Sequence, residues 1–422
     1  MVINNTLSHF MPAISQPFPL FDSHKRFVDA VDADYPDTHR LLNPIFNDDP
    51  NKKQHFIWTK QYLLFIARNK AQGTFDRFRN ECERFLLWCW CFKSDKSLAQ
   101  LNKIDILEYA DFLWSPPKAW VGQDANARRY LATEGGFKIN DNWRPFVARK
   151  TKSLKVAAPY QISQSTLNAS FVALTTFFNH LIDLDLLGKN PIKQAKKDCR
   201  HLMTNTQIKH VHRLSELQWQ TVLDCAKSMA DLDTKYERHL FLVAALKSLY
   251  LRISELSERE NWKPIMSHFW HTDGYWWLKI YGKGNKVRDV SVPQDFLFFL
   301  ERYRISRHLS PLPMMDEHVA IISKSNSHEG LGSRQLRRFV QTVFDEAFHL
   351  LVKKGLALEA SELKSATTHW LRHTGASMDV ENNRDLKYLS EDLGHASLAT
   401  TDTIYVQTDI RNRAESGKYR KV

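Results

Sequence analysis

From Phe56 onward, apolar side chains recur mostly three and four positions apart: Phe56, Tyr62, Leu63 and Ile66, then Phe75, Phe78, Cys82, Phe85, Leu86 and Cys89. That spacing predicts two amphipathic helices, with a shorter third over Ile104–Phe112. The stretch 114–160 breaks the period. It is rich in Trp, Pro and Gly, with Pro116–Pro117 and Gly135–Gly136, and reads as an inserted loop with little regular structure. Helical spacing returns over Gln164–Leu187 (Leu167, Phe171, Leu174, Phe177, Phe178, Leu181) and stops at Gly188, with Asn190–Pro191 just beyond. Ser215-x-x-Gln218 has the form of a capping box and opens a second helical region. Within that region Tyr275–Ile280 and Val287–Val292 read as strands flanking a Gly282–Asn285 turn. Helical patterns then run over Ser333–Lys354, stopping at Gly355, over Ala366–Val380 and over Leu386–Leu393. The pattern predicts a mainly α fold with a small antiparallel β-sheet, and it contains no internal repeat.

Charge sharpens this picture. The 422 residues carry a formal net charge of +12, which makes an acidic polymer such as nucleic acid the first partner to consider. The surplus is uneven. Residues 1–50 hold seven Asp against Lys25, Arg26 and Arg40 and are punctuated by six Pro, so they read as an extended arm or loose cap. The strip 189–213 carries Lys189, Lys193, Lys196, Lys197, Arg200, Lys209 and Arg213 against Asp198 alone, and reads as an exposed basic linker. No run approaches the roughly 20 apolar residues of a membrane span, and the first residues lack the basic start of a signal peptide. Five cysteines without a paired CxxC framework point to a reducing, cytoplasmic setting and to no metal site.

Five local patterns carry chemistry. Arg252-Ile-Ser-Glu255 follows an apolar helix; Lys283 lies at the tip of the Gly282–Asn285 turn, with Lys286 as a rival; His369-x-x-Arg372 places two side chains on one helix face; His395 follows Leu393-Gly394; Tyr405 comes ten residues later. Arginine forks neutralise the non-bridging oxygens of a phosphate, a lysine or histidine protonates a leaving oxygen, and a tyrosine hydroxyl is available as nucleophile. Each pattern alone is ordinary surface or packing chemistry. Their ordered occurrence is not.

The phrases LRISEL (251–256), GKGNK (282–286), HWLRHTG (369–375) and LGHASLATT (393–401) resemble the signature boxes of the tyrosine recombinases, the phage integrase family. The likeness spans about 214–410, and Gln164–Ile192 is similar to the last helix of that family's core-binding domain. It implies four parts: an N-terminal arm or extension, 1–50; a helical core-binding domain, 51–190, with the loop 114–160 inserted; a basic linker, 191–213; and a mixed α/β catalytic domain with a C-terminal tail, 214–422. It also implies that Tyr405 attacks a scissile DNA phosphate to give a 3′-phosphotyrosine. Arg252, Arg372 and His395 would hold the phosphate, Lys283 would protonate the 5′-oxygen, His369 would assist proton transfer, and Glu255 would orient its neighbours. No cofactor or metal is implied. The partners implied are double-stranded DNA and three further copies in a tetramer, with an accessory directionality factor, in a cytoplasmic, nucleoid-associated protein.

Lys193, Lys196, Lys197 and Arg200 in the linker and Arg144, Lys150 and Lys152 in the loop are the candidate phosphate contacts. One departure stands out: ten positions separate His395 from Tyr405, one more than the family's usual count, as if TTDTIY held a single inserted residue before the tyrosine. Tyr388 precedes the LGH box and Tyr419 falls near the end, so neither fits the order. The leading expectation is the integrase of a mobile element. A Xer-like chromosome-dimer resolvase, a type IB topoisomerase and a catalytically inactive DNA-binding regulator are the rivals.

Overall fold

The computed structural model describes residues 16–29, 32–124, 126–148, 160–202, 211–282, 286–395, 397–406 and 417–418. It divides into two compact units, Met1–Asn205 and Thr206–Val422.

The first unit is helical at its core. In chain order it contains α1 (His24–Asp29), α2 (Pro36–Asp48), α3 (Pro50–Asn69), α4 (Gln72–Phe92), α5 (Lys103–Trp114), α6 (Gln164–Asp183) and α7 (Pro191–Asp198). Local chemistry fixes their starts. Asp49 accepts from the Asn51 N–H with Pro50 at the first helical position, and Asn102 forms a reciprocal capping box with Asp105.

The stretch 16–48 is not an extended arm. Phe18, Leu20, Phe21, Phe27, Leu42 and Ile45 belong to the main core, and the buried Glu83 carboxylate on α4 accepts the Leu20 and Phe21 N–H groups at 2.7 and 3.2 Å. Aspartates suggested solvent, but Asp22 is itself buried and accepts the Tyr35 hydroxyl at 2.8 Å. The 114–160 stretch is also more regular than its composition suggested. It holds a parallel pair, β1 (Val121–Gly122) with β4 (Phe146–Val147), and a hairpin of β2 (Tyr130–Thr133) with β3 (Gly136–Ile139). Its irregularly spaced aromatics Trp120, Tyr130 and Phe146 anchor it in the helical core, and Arg129 pairs with Glu83. The linker, too, begins as structure. Asn190 caps α7, and Ile192 and Ala195 are fully buried beneath the lysines.

The second unit opens with α8 (Glu216–Leu232), whose Ser215–Gln218 capping box forms in both directions. Next come α9 (Glu237–Ser248) and a three-stranded antiparallel sheet of β5 (Phe269–Thr272), β6 (Tyr275–Tyr281) and β7 (Val287–Ser291), in that order. The β5 strand was not anticipated. Its turn residues Asp273 and Gly274 both sit at positive φ, the conformation a two-residue hairpin favours. There follow α10 (Gln294–Ser306), α11 (Ser333–Lys353), α12 (Ala357–Lys364), α13 (Thr368–Glu381), α14 (Leu386–Leu393) and α15 (Leu398–Thr401). The last helix runs into a π-helical turn over Asp402–Val406. The fold is thus mainly α with small sheets. Among the described residues no helix is long and apolar enough to cross a membrane.

Candidate active site

The site assembles where the end of α9, the β7 strand, α13 and the chain after α14 meet. Tyr250 follows α9 at φ 50°, a sparsely populated conformation for a bulky residue. Its hydroxyl is tied to Asp379 and Arg384, and its carbonyl accepts Arg372 Nη1 at 2.5 Å. Arg372 Nη2 donates to the Leu393 carbonyl at 2.6 Å, so one guanidinium, 3% exposed, joins the Arg252 turn to the end of α14. Burial and then Arg252 lower its pKa to about 10; it remains charged at neutral pH.

Arg252 keeps a more open side chain and donates to Glu255 Oε1 at 3.1 Å, while its backbone N–H reaches Oε2 at 2.8 Å. Burial works to raise the Glu255 pKa, but the Arg288 hydrogen bonds and charge outweigh it and hold the carboxylate below its usual range. Arg288 had no role in the sequence reading. It donates to both Glu255 oxygens and, through Nε, to the Asp392 carbonyl at 2.8 Å. Gly394 is required here on two counts: its φ is 65°, and a Cβ would lie 2.8 Å from Arg288 Cδ.

Tyr405 is 4% exposed. Its ring lies parallel to that of His395, centroids 6.4 Å apart, and 5.7 Å from that of His373. His373 Nδ1 stands 2.9 Å from the Tyr405 hydroxyl, and the Arg372 guanidinium lies close enough to favour the phenolate. Burial raises the tyrosine pKa, against the lowering charges of Arg372 and Arg252. His395 engages Thr401 Oγ1 through Nδ1 at 2.8 Å. Desolvation and then Arg372, Arg252 and Arg288 lower its pKa to about 4. Desolvation, followed by Arg372, Arg252 and Arg337, also lowers the pKa of His369. All these histidines are neutral near pH 7, in a pocket whose positive charges are arginines and whose one described carboxylate, Glu255, is engaged by Arg252 and Arg288. It is an anion site with neutral proton carriers around a phenol.

Arg252, Glu255, His369, Arg372, His395 and Tyr405 thus stand together. Lys283 lies outside the described residues; beside it, the Gly282 N–H donates to the Lys286 carbonyl at 2.8 Å and the Lys286 side chain is exposed. The candidate phosphate contacts belong to the first unit. Lys193 and Lys197 are exposed on α7 and Lys196 is partly so. Arg200 pairs with Asp111 at 3.0 Å, and Arg144 donates to the Asp141 and Trp143 carbonyls. Lys150 and Lys152 lie outside the described residues. His373 was missed, although its signal was present: it follows Arg372 and stands four residues after His369, on the same helix face.

Residues 212–411 match the model of the phage integrase family. Among characterised proteins, the chain is 29% identical over 244 residues to tyrosine recombinase XerD of Oceanobacillus iheyensis, covering 57% of this chain and 70% of the relative. It is 29% identical over 287 residues to XerC of Salmonella typhi, covering 67% and 82%. The fold is shared with the XerH site-specific recombinase solved in a post-cleavage complex with a palindromic difH substrate, at a TM-score of 0.54 and 16% identity, over 97% of this chain and 99% of that one. With the signature boxes gathered into one pocket and the family model spanning them, residues 212–411 form a phage integrase family domain, similar to the tyrosine-type site-specific DNA recombinases.

Proposed function

We propose that Tyr405 is the nucleophile of DNA strand exchange. Its oxygen attacks a scissile phosphate of double-stranded DNA, leaving a 3′-phosphotyrosine and a free 5′-hydroxyl. The hydroxyl of a partner strand then attacks that bond, so no external energy source is required. Arg252, Arg372 and His395 hold the phosphate and its transition-state charge, Lys283 protonates the leaving 5′-oxygen, His369 assists positioning and proton transfer, and Glu255 orients Arg252. The observation that carries this reading is Tyr405 itself, buried against Arg372 between two histidine rings. A tyrosine there has little to do for packing that a phenylalanine would not do. In the first unit, Lys193, Lys196, Lys197, Arg200, Arg144, Lys150 and Lys152 supply phosphate contacts.

The finer role we propose is the integrase of a mobile genetic element, working as a tetramer with an accessory directionality factor. The extent of the first unit supports it: the match to the Salmonella XerC covers 67% of this chain, and the structured 16–48 and 114–147 segments enlarge the helical core. A second reading, a Xer-type chromosome-dimer resolvase, is favoured by the XerC and XerD names of the curated relatives.

Nicked suicide substrates test both levels. Wild type is expected to form a covalent protein–DNA adduct that Tyr405→Phe abolishes. Sites drawn from DNA flanking the gene should be cut if the protein is an integrase, and sites from the chromosome terminus if it is a resolvase. Specific binding without any adduct would instead identify an inactive regulator.

A further inference from the structure

We propose that His373 is the catalytic base that takes the proton of Tyr405, an inference that rests on the reading of Tyr405 as nucleophile. The two side chains already meet, His373 Nδ1 to Tyr405 Oη at 2.9 Å, within the reach a base needs of the proton it removes. In the tautomer with hydrogen on Nε2, Nδ1 accepts from the phenol.

The other candidates around the hydroxyl are less well placed. Arg372 lies near the same oxygen and favours its charged form, but a guanidinium has no acceptor and cannot take the proton. His395 lies parallel to the tyrosine ring and engages Thr401 through Nδ1. His369, one helical turn before His373, makes no hydrogen bond to Tyr405 among the described residues, and its ring centroid is 6.3 Å from that of His373. One face of α13 therefore presents an arginine to the phosphate and a base to the nucleophile.

The electrostatics fit a base that switches on with substrate. Besides burial, the groups facing His373 are His369, Arg372, His395 and His212, all disfavouring its charged form, and they hold its pKa to about 4. An incoming phosphodiester adds the missing negative charge. The imidazolium becomes favourable as the tyrosine gives up its proton.

The step balances. The Tyr405 oxygen pair forms the O–P bond and its proton passes to Nδ1. The P–O5′ bond breaks, its pair leaves on O5′, and O5′ receives a proton from Lys283. On rejoining, the 5′-hydroxyl attacks phosphorus and gives its proton back to the now neutral Lys283, the P–O bond to Tyr405 breaks, and the departing tyrosine oxygen recovers its proton from His373.

Single-turnover cleavage of a suicide substrate tests the proposal, with Tyr405→Phe as the control. Loss of the adduct in Tyr405→Phe secures the nucleophile independently; its persistence would overturn that reading, and this one with it, whatever His373 does. With the control secure, His373→Ala and His373→Asn should bind DNA as wild type and cleave about 10²–10³-fold more slowly. Their rate should climb with pH where the wild type levels off. The asparagine amide keeps a hydrogen-bond acceptor near Nδ1 but takes no proton, so an Asn variant within threefold of wild type would reduce His373 to positioning and overturn the proposal. A substrate with sulfur at the 5′-bridging position, whose thiolate leaves unprotonated, should leave both variants slow. Recovery on it would place His373 on the leaving group instead.

Discussion

Arg288 grips Glu255 with both terminal nitrogens, Nη1 to Oε1 at 2.8 Å and Nη2 to Oε2 at 3.0 Å, around a carboxylate that is 1% exposed. The same carboxylate caps and pairs with Arg252, so strand β7 sets the position of an arginine three elements earlier in the chain. Removing one member of a buried pair strands the other's charge. Arg288→Met is expected to destabilise the second unit by roughly 3–5 kcal/mol and to slow cleavage, as Arg252 loses its orientation. Adding Glu255→Gln to the same chain should recover part of the stability, because the carboxylate stranded by the first change is then removed. Urea unfolding of the two variants checks this; a cost below about 1 kcal/mol for Arg288→Met would show that the pair contributes little.

The π-helical turn over Asp402–Val406 coincides with the extra residue between His395 and Tyr405. A π-turn holds one residue more than an α-turn while the chain on either side keeps its facing. Deleting the exposed Thr403 should therefore convert the turn to α and leave Tyr405 near the phosphate site, with cleavage retained within about tenfold. Inserting an alanine at the same point has no such outlet and should abolish the adduct, a loss of at least 10²-fold on the scale of a misplaced reacting group. Equal loss in both variants would mean that the turn itself, and not the facing of Tyr405, is what activity needs.

What the sequence made legible follows from the range of each signal. The capping box at Ser215 and the stop at Gly355 are local chemistry and stand where they were read. Arg252, His369, Arg372, His395 and Tyr405 were legible through ordered motifs, although the contacts joining them are long-range. Arg288 was not, because an arginine one residue into a strand looks like an outward-facing charge until Glu255 is folded against it. The buried role of 18–45 was hidden in the same way: its aspartates implied solvent, whereas Glu83 and Arg129, far off in sequence, draw the segment into the core. In α7 the lysines masked a short apolar face of Ile192 and Ala195.

His55, 4% exposed, accepts the Leu98 N–H through Nε2 at 3.2 Å, so that nitrogen carries no proton in the fold. Burial, only partly opposed by Asp49, lowers its pKa from 6.5 to about 4. Between those values the unfolded chain binds a proton that the folded chain refuses. The stabilisation is complete above about pH 6.5 and is lost as pH falls toward 4. Stability of the first unit should accordingly decline over this window, His55 contributing at most about 1.4 kcal/mol per pH unit. His55→Gln keeps an acceptor for Leu98 and cannot titrate, so chemical denaturation at a series of pH values should give it a shallower slope than wild type. Identical slopes would place the proton uptake elsewhere.

Lys193 and Lys197 stand exposed on α7, with no hydrogen bond or ion pair among the described residues, whereas Arg200 on the same stretch is held by Asp111. If all three touch DNA phosphates, the unpaired lysines must release more counterions than the arginine, whose charge is already partly neutralised. Each lysine-to-alanine change should lower the slope of log affinity against log salt by about 0.9, and the double variant by nearly twice that. Affinity should fall by the same factor on specific and unrelated duplexes, since phosphate contacts carry no base information. Arg200→Ala should move the slope less than either lysine. Anisotropy titrations of labelled duplex across a potassium chloride series measure all three; an unchanged slope in Lys193→Ala/Lys197→Ala would remove α7 from the DNA interface.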